Sequence, residues 1–174
     1  MSILKISRIG HPILLKKCKL VENIAGNQTK NIIHDMTETM LDARGIGLAA
    51  PQVHINKQIM IFRHTEEEKK DEIKITALIN PKLTKIDDET ENQWEGCLSI
   101  PGMLGLVKRY VRVKYEGFDM NGHLIRKEVA GLHARVVQHE YDHLMGVLYI
   151  NRLANKKAYG FANEIEEFWK GKGE

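Results

Sequence analysis

Two histidines four residues apart, with a glutamate directly after the first, make the pentad His139-Glu-Tyr-Asp-His143. On a helix, positions i and i+4 share one face, so both imidazoles can reach one ion. Glu140 then stands beside the first imidazole, where its carboxylate can take a proton from water without competing as a ligand. In a chain with 8 histidines the pattern arises by chance in roughly one sequence in thirty, so it needs company. A catalytic ion of this kind takes three protein ligands and keeps one position open. The stretch from Leu144 to Asn163 has no further histidine, and Glu164 comes late. Upstream, Cys97 lies in Glu95-Gly-Cys-Leu-Ser-Ile-Pro101, a turn-like segment able to present a soft thiolate. Taken alone, a lone cysteine is more often an inert buried residue.

A third segment, Gly45-Ile-Gly-Leu-Ala-Ala-Pro-Gln52, brackets one apolar residue with two glycines and ends in an amide. Small residues let a backbone approach a ligand closely, and Gln52 can donate to a developing oxyanion. The Lys-Ser/Thr of a phosphate-cradling loop is missing. An ordinary helix-to-strand turn explains this segment equally well.

Elements must hold these residues in place. Ile32, Ile33, Met36, Met40 and Leu41 repeat at a helical period, with Asn27 or Thr29 as the cap and Gly45 and Gly47 as the stop. Gln58–Phe62 and Ile75–Ile79 read as short buried strands. The polar run Thr65–Glu72 between them reads as a solvated loop. Leu106–Phe118 alternates imperfectly and reads as a strand. Asp119-Met-Asn-Gly122 then turns it into a partner at His123–Val129. A helix is expected from about Gly131 to Met145, with Gly146 as its left-handed terminator, and another over Asn155–Trp169. The order lacks regular βα alternation. It predicts an α+β fold, mostly antiparallel sheets around the pentad helix, with one helix toward each terminus.

Composition narrows the class. A length of 174 residues with 43% apolar content suits one domain over 1–174, and no linker or repeat suggests a boundary. A net charge of +3 is too mild to announce nucleic-acid binding. No segment has the ~20 apolar residues of a membrane span, and the first ten residues lack a signal peptide's apolar stretch. Two cysteines cannot make a disulfide framework, which points to a reducing compartment. A cytoplasmic protein is expected, with an organelle left open if a transit peptide precedes residue 1.

Taken together and in this order, GIGLAAPQ at 45–52, EGCLS at 95–99 and QHEYDHL at 138–144 closely resemble the three signature motifs of peptide deformylases. Arg8-x-Gly-x-Pro12 looks similar as well. The resemblance implies an α+β fold and removal of the formyl group from the N-terminal formylmethionine of new polypeptides, releasing formate. It implies Cys97, His139 and His143 as ligands of one divalent ion. That ion is commonly Fe²⁺ in the cell, with Ni²⁺, Co²⁺ or Zn²⁺ tolerated. Glu140 becomes the general base and acid. Gln52 and the Leu98 backbone N–H become oxyanion donors, and the Gly47 backbone pairs with the bound peptide. In such a site the ion activates water and polarises the formyl oxygen.

Specificity is expected from a narrow formyl site at Gly45 and Gly47. An apolar slot from Leu132 and Val136, closed by Ile46, would take the methionine. Arg135 shares that helix face, either as a pocket wall or as a surface arginine. Glu95 is expected to pair with Arg109 and anchor the Cys97 loop. Asp142 reads as a solvent-facing carboxylate, and Cys18 and the six other histidines as bystanders. Two rivals stand beside this reading: an HExxH zinc endopeptidase and a non-catalytic zinc-binding module. Transient ribosome contact fits such a substrate. However, residues 154–174 carry four Lys against four Glu, which gives no electrostatic support for RNA.

Overall fold

The computed structural model describes residues 2–66 and 69–169. Its elements in chain order are helix α1 (Asn27–Asp42), strands β1 (Gly47–Ala49), β2 (Ile59–Glu66), β3 (Lys69–Lys85), β4 (Thr90–Cys97), β5 (Ile100–Tyr110), β6 (Arg112–Phe118) and β7 (Leu124–Ala130), helix α2 (Gly131–Leu144), strand β8 (Tyr159–Phe161) and helix α3 (Ala162–Phe168). All strand pairs are antiparallel. One sheet has the order β1-β2-β3-β6-β7 and the other β4-β5-β8. No helix among the described residues is long and apolar enough to cross a membrane.

The continuous apolar run of β2 has a direct cause. Successive side chains point to opposite faces of a sheet. Ile59 and Ile61 pack with Ile33, Met36 and Met40 of α1, while Met60 and Phe62 pack with Val136, Val137 and Leu144 of α2. Neighbouring strands divide the same way: Leu48 and Ile79 toward α1, Ala49 and Leu78 toward α2. The larger sheet is therefore covered on both faces at this point, which is why its strands cannot show an apolar–polar alternation. A third cluster joins Ile100 and Val107 of β5 to Leu14, Leu148 and Tyr149.

Helix α2 carries the pentad and lies between the two sheets. Its buried residues include Arg135, Gln138, Glu140, Asp142 and His143, an unusual polar load for an interior helix. Gly146 (φ 74°) ends it, and a Cβ there would stand 2.7 Å from the Leu15 backbone carbon, so only glycine fits. The Asp119–Gly122 turn forms as expected: Asp119 Oδ1 accepts from the backbone N–H groups of Asn121 (2.8 Å) and His123 (2.9 Å).

Four expectations need correction. Leu106–Phe118 is not one strand: the chain bends at Val111 and passes from the smaller sheet into the larger. The run Thr65–Glu72 is largely strand. β2 continues through Glu66 and β3 begins at Lys69 (residues 67 and 68 lie outside those described). Backbone pairing in this hairpin arm needs no apolar face, and Ile73 and Ile75 on it are exposed. Helix α3 occupies only Ala162–Phe168, because Tyr159–Phe161 pairs with Met103–Gly105 as an edge strand. Finally, the cap of α1 is Gly26. Asn27 is already helical, and the Thr29 hydroxyl donates instead to the Asn23 carbonyl at 2.8 Å.

Candidate metal centre and its cleft

Strand β4 ends at Cys97 and turns through Leu98 and Ser99 into β5, with Cys97 paired to Ile100. This tight hairpin brings the thiol to α2. The Cys97 Sγ lies 3.3 Å from His143 Nε2, and one donor atom from each of Cys97, His139 and His143 falls within 4.8 Å of the others. One sulfur and two imidazole nitrogens at that separation suit a divalent transition ion and leave a position free. Among the described residues no other group of His, Cys, Asp or Glu forms such a cluster. Cys18 is buried apart from it, in the core under α2.

The ligands are held from behind. His139 Nδ1 lies 2.9 Å from Glu95 Oε2, which leaves Nε2 for an ion. Glu95 also accepts a bidentate pair from Arg109, with Nε to Oε1 and Nη2 to Oε2 both 3.0 Å, and a third bond from Arg135 Nη1 at 2.7 Å. Burial alone would raise the Glu95 carboxyl. The hydrogen bonds from His139 and Arg109, with the charges behind them, outweigh it and hold the group well below the ordinary carboxylate range. Arg109 then passes to Asp142 (Nη1 to Oδ2, 2.5 Å), which Arg152 grips from the far side at 3.2 and 2.9 Å. Asp142 is thus buried, not solvent-facing. Arg135 is buried too, its guanidinium bonded to Glu95 and to the Val107 and Glu91 carbonyls, so it is no surface arginine.

Gln52 is set by its own backbone neighbourhood. Its Oε1 accepts from Ala49 N–H at 2.8 Å, which forces Nε2 toward Cys97 Sγ (3.4 Å) and Ser99 Oγ (3.2 Å). Gly47 lies directly over the Glu140 carboxylate: a Cβ at Gly47 would stand 2.3 Å from Glu140 Oε1. Glu140 is 4% exposed and its Oε2 is buried with no hydrogen-bond partner. Burial pushes its carboxyl up to about 7, with the Glu95 charge adding to the rise against the pull of His139 and Arg109.

These residues face one cleft of about 650 Å³. Gly45, Ile46, Gly47, Gln52, Leu98, Leu132, Val136, Glu95, Cys97, His139 and Glu140 all line it. Ile46 and Leu132 are exposed, while Val136 is buried, which puts the first two at the mouth and the third deeper. His143 sits behind the lining, and Arg109 borders a separate cavity on the other side of α2. Arg8, noted in the sequence only as part of Arg8-x-Gly-x-Pro12, also lines the cleft, and Ile100, Met103, Leu104, Trp94 and Arg44 line it without having been singled out. Their only signal is proximity to the Cys97 and Gly45–Gln52 segments.

A family model described as polypeptide deformylase matches residues 3–159. Peptide deformylase 1 of Xanthomonas campestris pv. campestris is 44% identical over 166 residues, covering 94% of this chain and 97% of that one. The Thermotoga maritima peptide deformylase structure superposes with a TM-score of 0.81 at 37% identity, covering 89% of this chain and 100% of that one. A Met-Ala-Ser-bound class I type b peptide deformylase from Acinetobacter baumannii gives a TM-score of 0.80 at 32% identity, covering 87% and 99%.

Proposed function

Because this chain belongs to the peptide deformylase family, a family of metal-dependent enzymes, we propose that its cleft hydrolyses the N-formyl group of formylmethionyl nascent polypeptides through Glu140, Gln52 and an ion held by Cys97, His139 and His143. One observation carries this reading. A three-donor cluster and a buried, unpartnered carboxylate oxygen stand together on one cleft.

A formamide is a poor electrophile and neutral water a poor nucleophile. When bound, the divalent ion supplies water activation and polarisation of the formyl carbonyl. Its ligands come from opposite sides, the thiolate from the β4–β5 hairpin and the imidazoles from α2. We assign Fe²⁺ as the native ion, with Zn²⁺, Ni²⁺ and Co²⁺ as workable substitutes. A thiolate and two imidazoles suit these ions and disfavour Mg²⁺ or Ca²⁺.

Glu140 accepts the proton of the attacking water on its carboxylate, which lines the cleft. It returns that proton to the amine nitrogen as the C–N bond breaks, so formate and a free methionyl amine leave. Gln52 Nε2 and the Leu98 N–H stabilise the oxyanion of the tetrahedral intermediate. Gln52 serves this role well because Ala49 already fixes its rotamer. Loss of one such donor costs about 3 kcal/mol in the barrier. Gly47 lets the substrate backbone lie close, since no side chain intervenes between it and Glu140. Val136, Leu132 and Ile46 provide the apolar slot for methionine, an unbranched side chain that fills irregular gaps. The Met-Ala-Ser peptide held by the Acinetobacter relative is the kind of product this reaction leaves.

The test is formate release from a formyl-Met dipeptide by anaerobically purified, ion-loaded protein beside Glu140→Ala. The parent turns over, and the variant keeps its ion while losing about 10²–10⁴-fold in kcat. A parent that carries its ion and releases no formate overturns the reading.

A further inference from the structure

The cleft has an uneven charge distribution. Its acidic lining residues are Glu95 and Glu140, and both are buried. Glu95 is consumed by Arg109, Arg135 and His139. Arg8 and Arg44 also line the cleft, and both are exposed. Neither guanidinium has a hydrogen-bond or ion-pair partner among the described residues.

Both arginines are tied to the reacting centre by backbone. Arg44 stands three residues before Gly47, which backs onto Glu140. Arg44 also holds a left-handed backbone conformation (φ 54°) at the end of α1. Arg8 is flanked by Ser7, whose N–H donates to the Gln52 carbonyl at 2.7 Å, and by Ile9, whose N–H donates to the Ser99 carbonyl at 2.9 Å. Each arginine is therefore within about 11 Å of chain from a residue of the site. An extended peptide advances about 3.4 Å per residue. Both arginines line the cleft outside the residues assigned to the formyl site and the methionine slot, so a chain seated by its methionine meets them with the residues that follow it.

Resting on the deformylase reading above, we propose that Arg8 and Arg44 are specificity-determining residues that select nascent chains carrying Asp or Glu shortly after the initiator methionine. Two unpaired cations beside a partly water-excluded cleft attract a carboxylate and repel an ammonium. The preference is electrostatic, so it fades with salt.

The experiment compares kcat/KM for formyl-Met-Ala-Asp-amide and formyl-Met-Ala-Lys-amide on one preparation. Because both substrates meet the same enzyme, partial inactivity or misfolding cancels in the ratio. Amidated peptides remove the terminal carboxylate as a rival anion. The parent favours the Asp peptide by about tenfold at low ionic strength, and the ratio shrinks toward one at about 0.5 M salt, where the Debye length is roughly 4 Å. Arg44→Glu reverses the ratio, and Arg8→Gln lowers it. A parent ratio near one at low salt, or a ratio unmoved by both substitutions, overturns the inference. Binding of the two unformylated product peptides, read by calorimetry, gives the same comparison without turnover. If no peptide is deformylated yet the Asp product still binds more tightly, the reaction reading fails and the charge selection stands. If formate is released at equal rates from both peptides, the reverse holds.

Discussion

At the scale of single residues, the site depends on close approach. Gly47 occupies space where any Cβ would overlap the Glu140 carboxylate, with its Cδ at 2.7 Å and its Cγ at 2.9 Å. Glu140 is buried and has nowhere to retreat without leaving the cleft wall. Gly47→Ala should therefore keep its ion, read by metal analysis, while formate release falls on the order of 10²-fold, the usual cost of a catalytic group displaced by about 1 Å. A second residue-scale effect lies away from the cleft. His133 stacks on His64 at 4.5 Å between rings and packs against Phe62 and Tyr115. Burial, and then the charges of His64 and Lys127, lower its pKa to about 4. Its unfolded value is near 6.5. Between those values the unfolded chain binds the extra proton, so the stability is present above about pH 6.5 and is lost as pH falls toward 4. His133→Leu should flatten this acid limb, seen as a smaller drop in urea midpoint from pH 7.5 to about pH 4.5 in metal-free protein. An unchanged limb would show that His133 does not titrate in this way.

At the scale of elements, α2 is held by charge on the side away from the larger sheet. Asp142 of α2 takes Arg109 from β5 and Arg152 from the short helical turn after α2, and Arg109 continues to Glu95 on β4. The chain of contacts ends on His139. Removing one member of such a buried set leaves the others unpaired, which costs about 3–5 kcal/mol. Asp142→Asn keeps the shape and removes the charge. It should lower the urea midpoint and, because Arg109 then holds Glu95 less firmly, weaken Co²⁺ affinity about tenfold by competition with a chelator. Weakened stability with unaltered Co²⁺ affinity would confine Asp142 to folding. This network was half legible in the sequence. The Glu95–Arg109 pair was expected from the need to anchor the Cys97 loop, and the two side chains do meet. Asp142 and Arg135 were not legible, because a helix packed between two sheets shows too little solvent face to tell which of its polar residues is buried.

At the scale of the molecule, the proposed ion would join two parts of the fold. Its sulfur ligand belongs to the three-stranded sheet and its imidazoles to the helix lying against the five-stranded one. Binding to the folded state alone adds stability by mass action, about 2.7 kcal/mol when free ion is 100 times its dissociation constant. Stripping the ion with a chelator should therefore lower the calorimetric Tm by several degrees. Cys97→Ala should start near the lower value and respond little to chelator. A parent whose Tm ignores the chelator would mean that the ion is absent or adds nothing to the fold.

The sequence alone picked out Cys97, His139 and His143, whose donor atoms the fold brings within 4.8 Å of one another. An i, i+4 histidine pair on a helical period and a hairpin-borne cysteine are local patterns, and local patterns survive translation into structure. It also determined α1, α2 and the β6–β7 hairpin, whose periodicity and turn residues act within a few positions. Tertiary structure decided everything that depends on what lies opposite. It placed the bend at Val111 that moves the chain between sheets. It made an edge strand of Tyr159–Phe161, paired to the otherwise free side of β5. It buried Asp142 and Arg135, and it brought Arg8 and Arg44 to the mouth of one cleft. Burial and pairing are relations between distant segments, and no single segment carries a record of its partner.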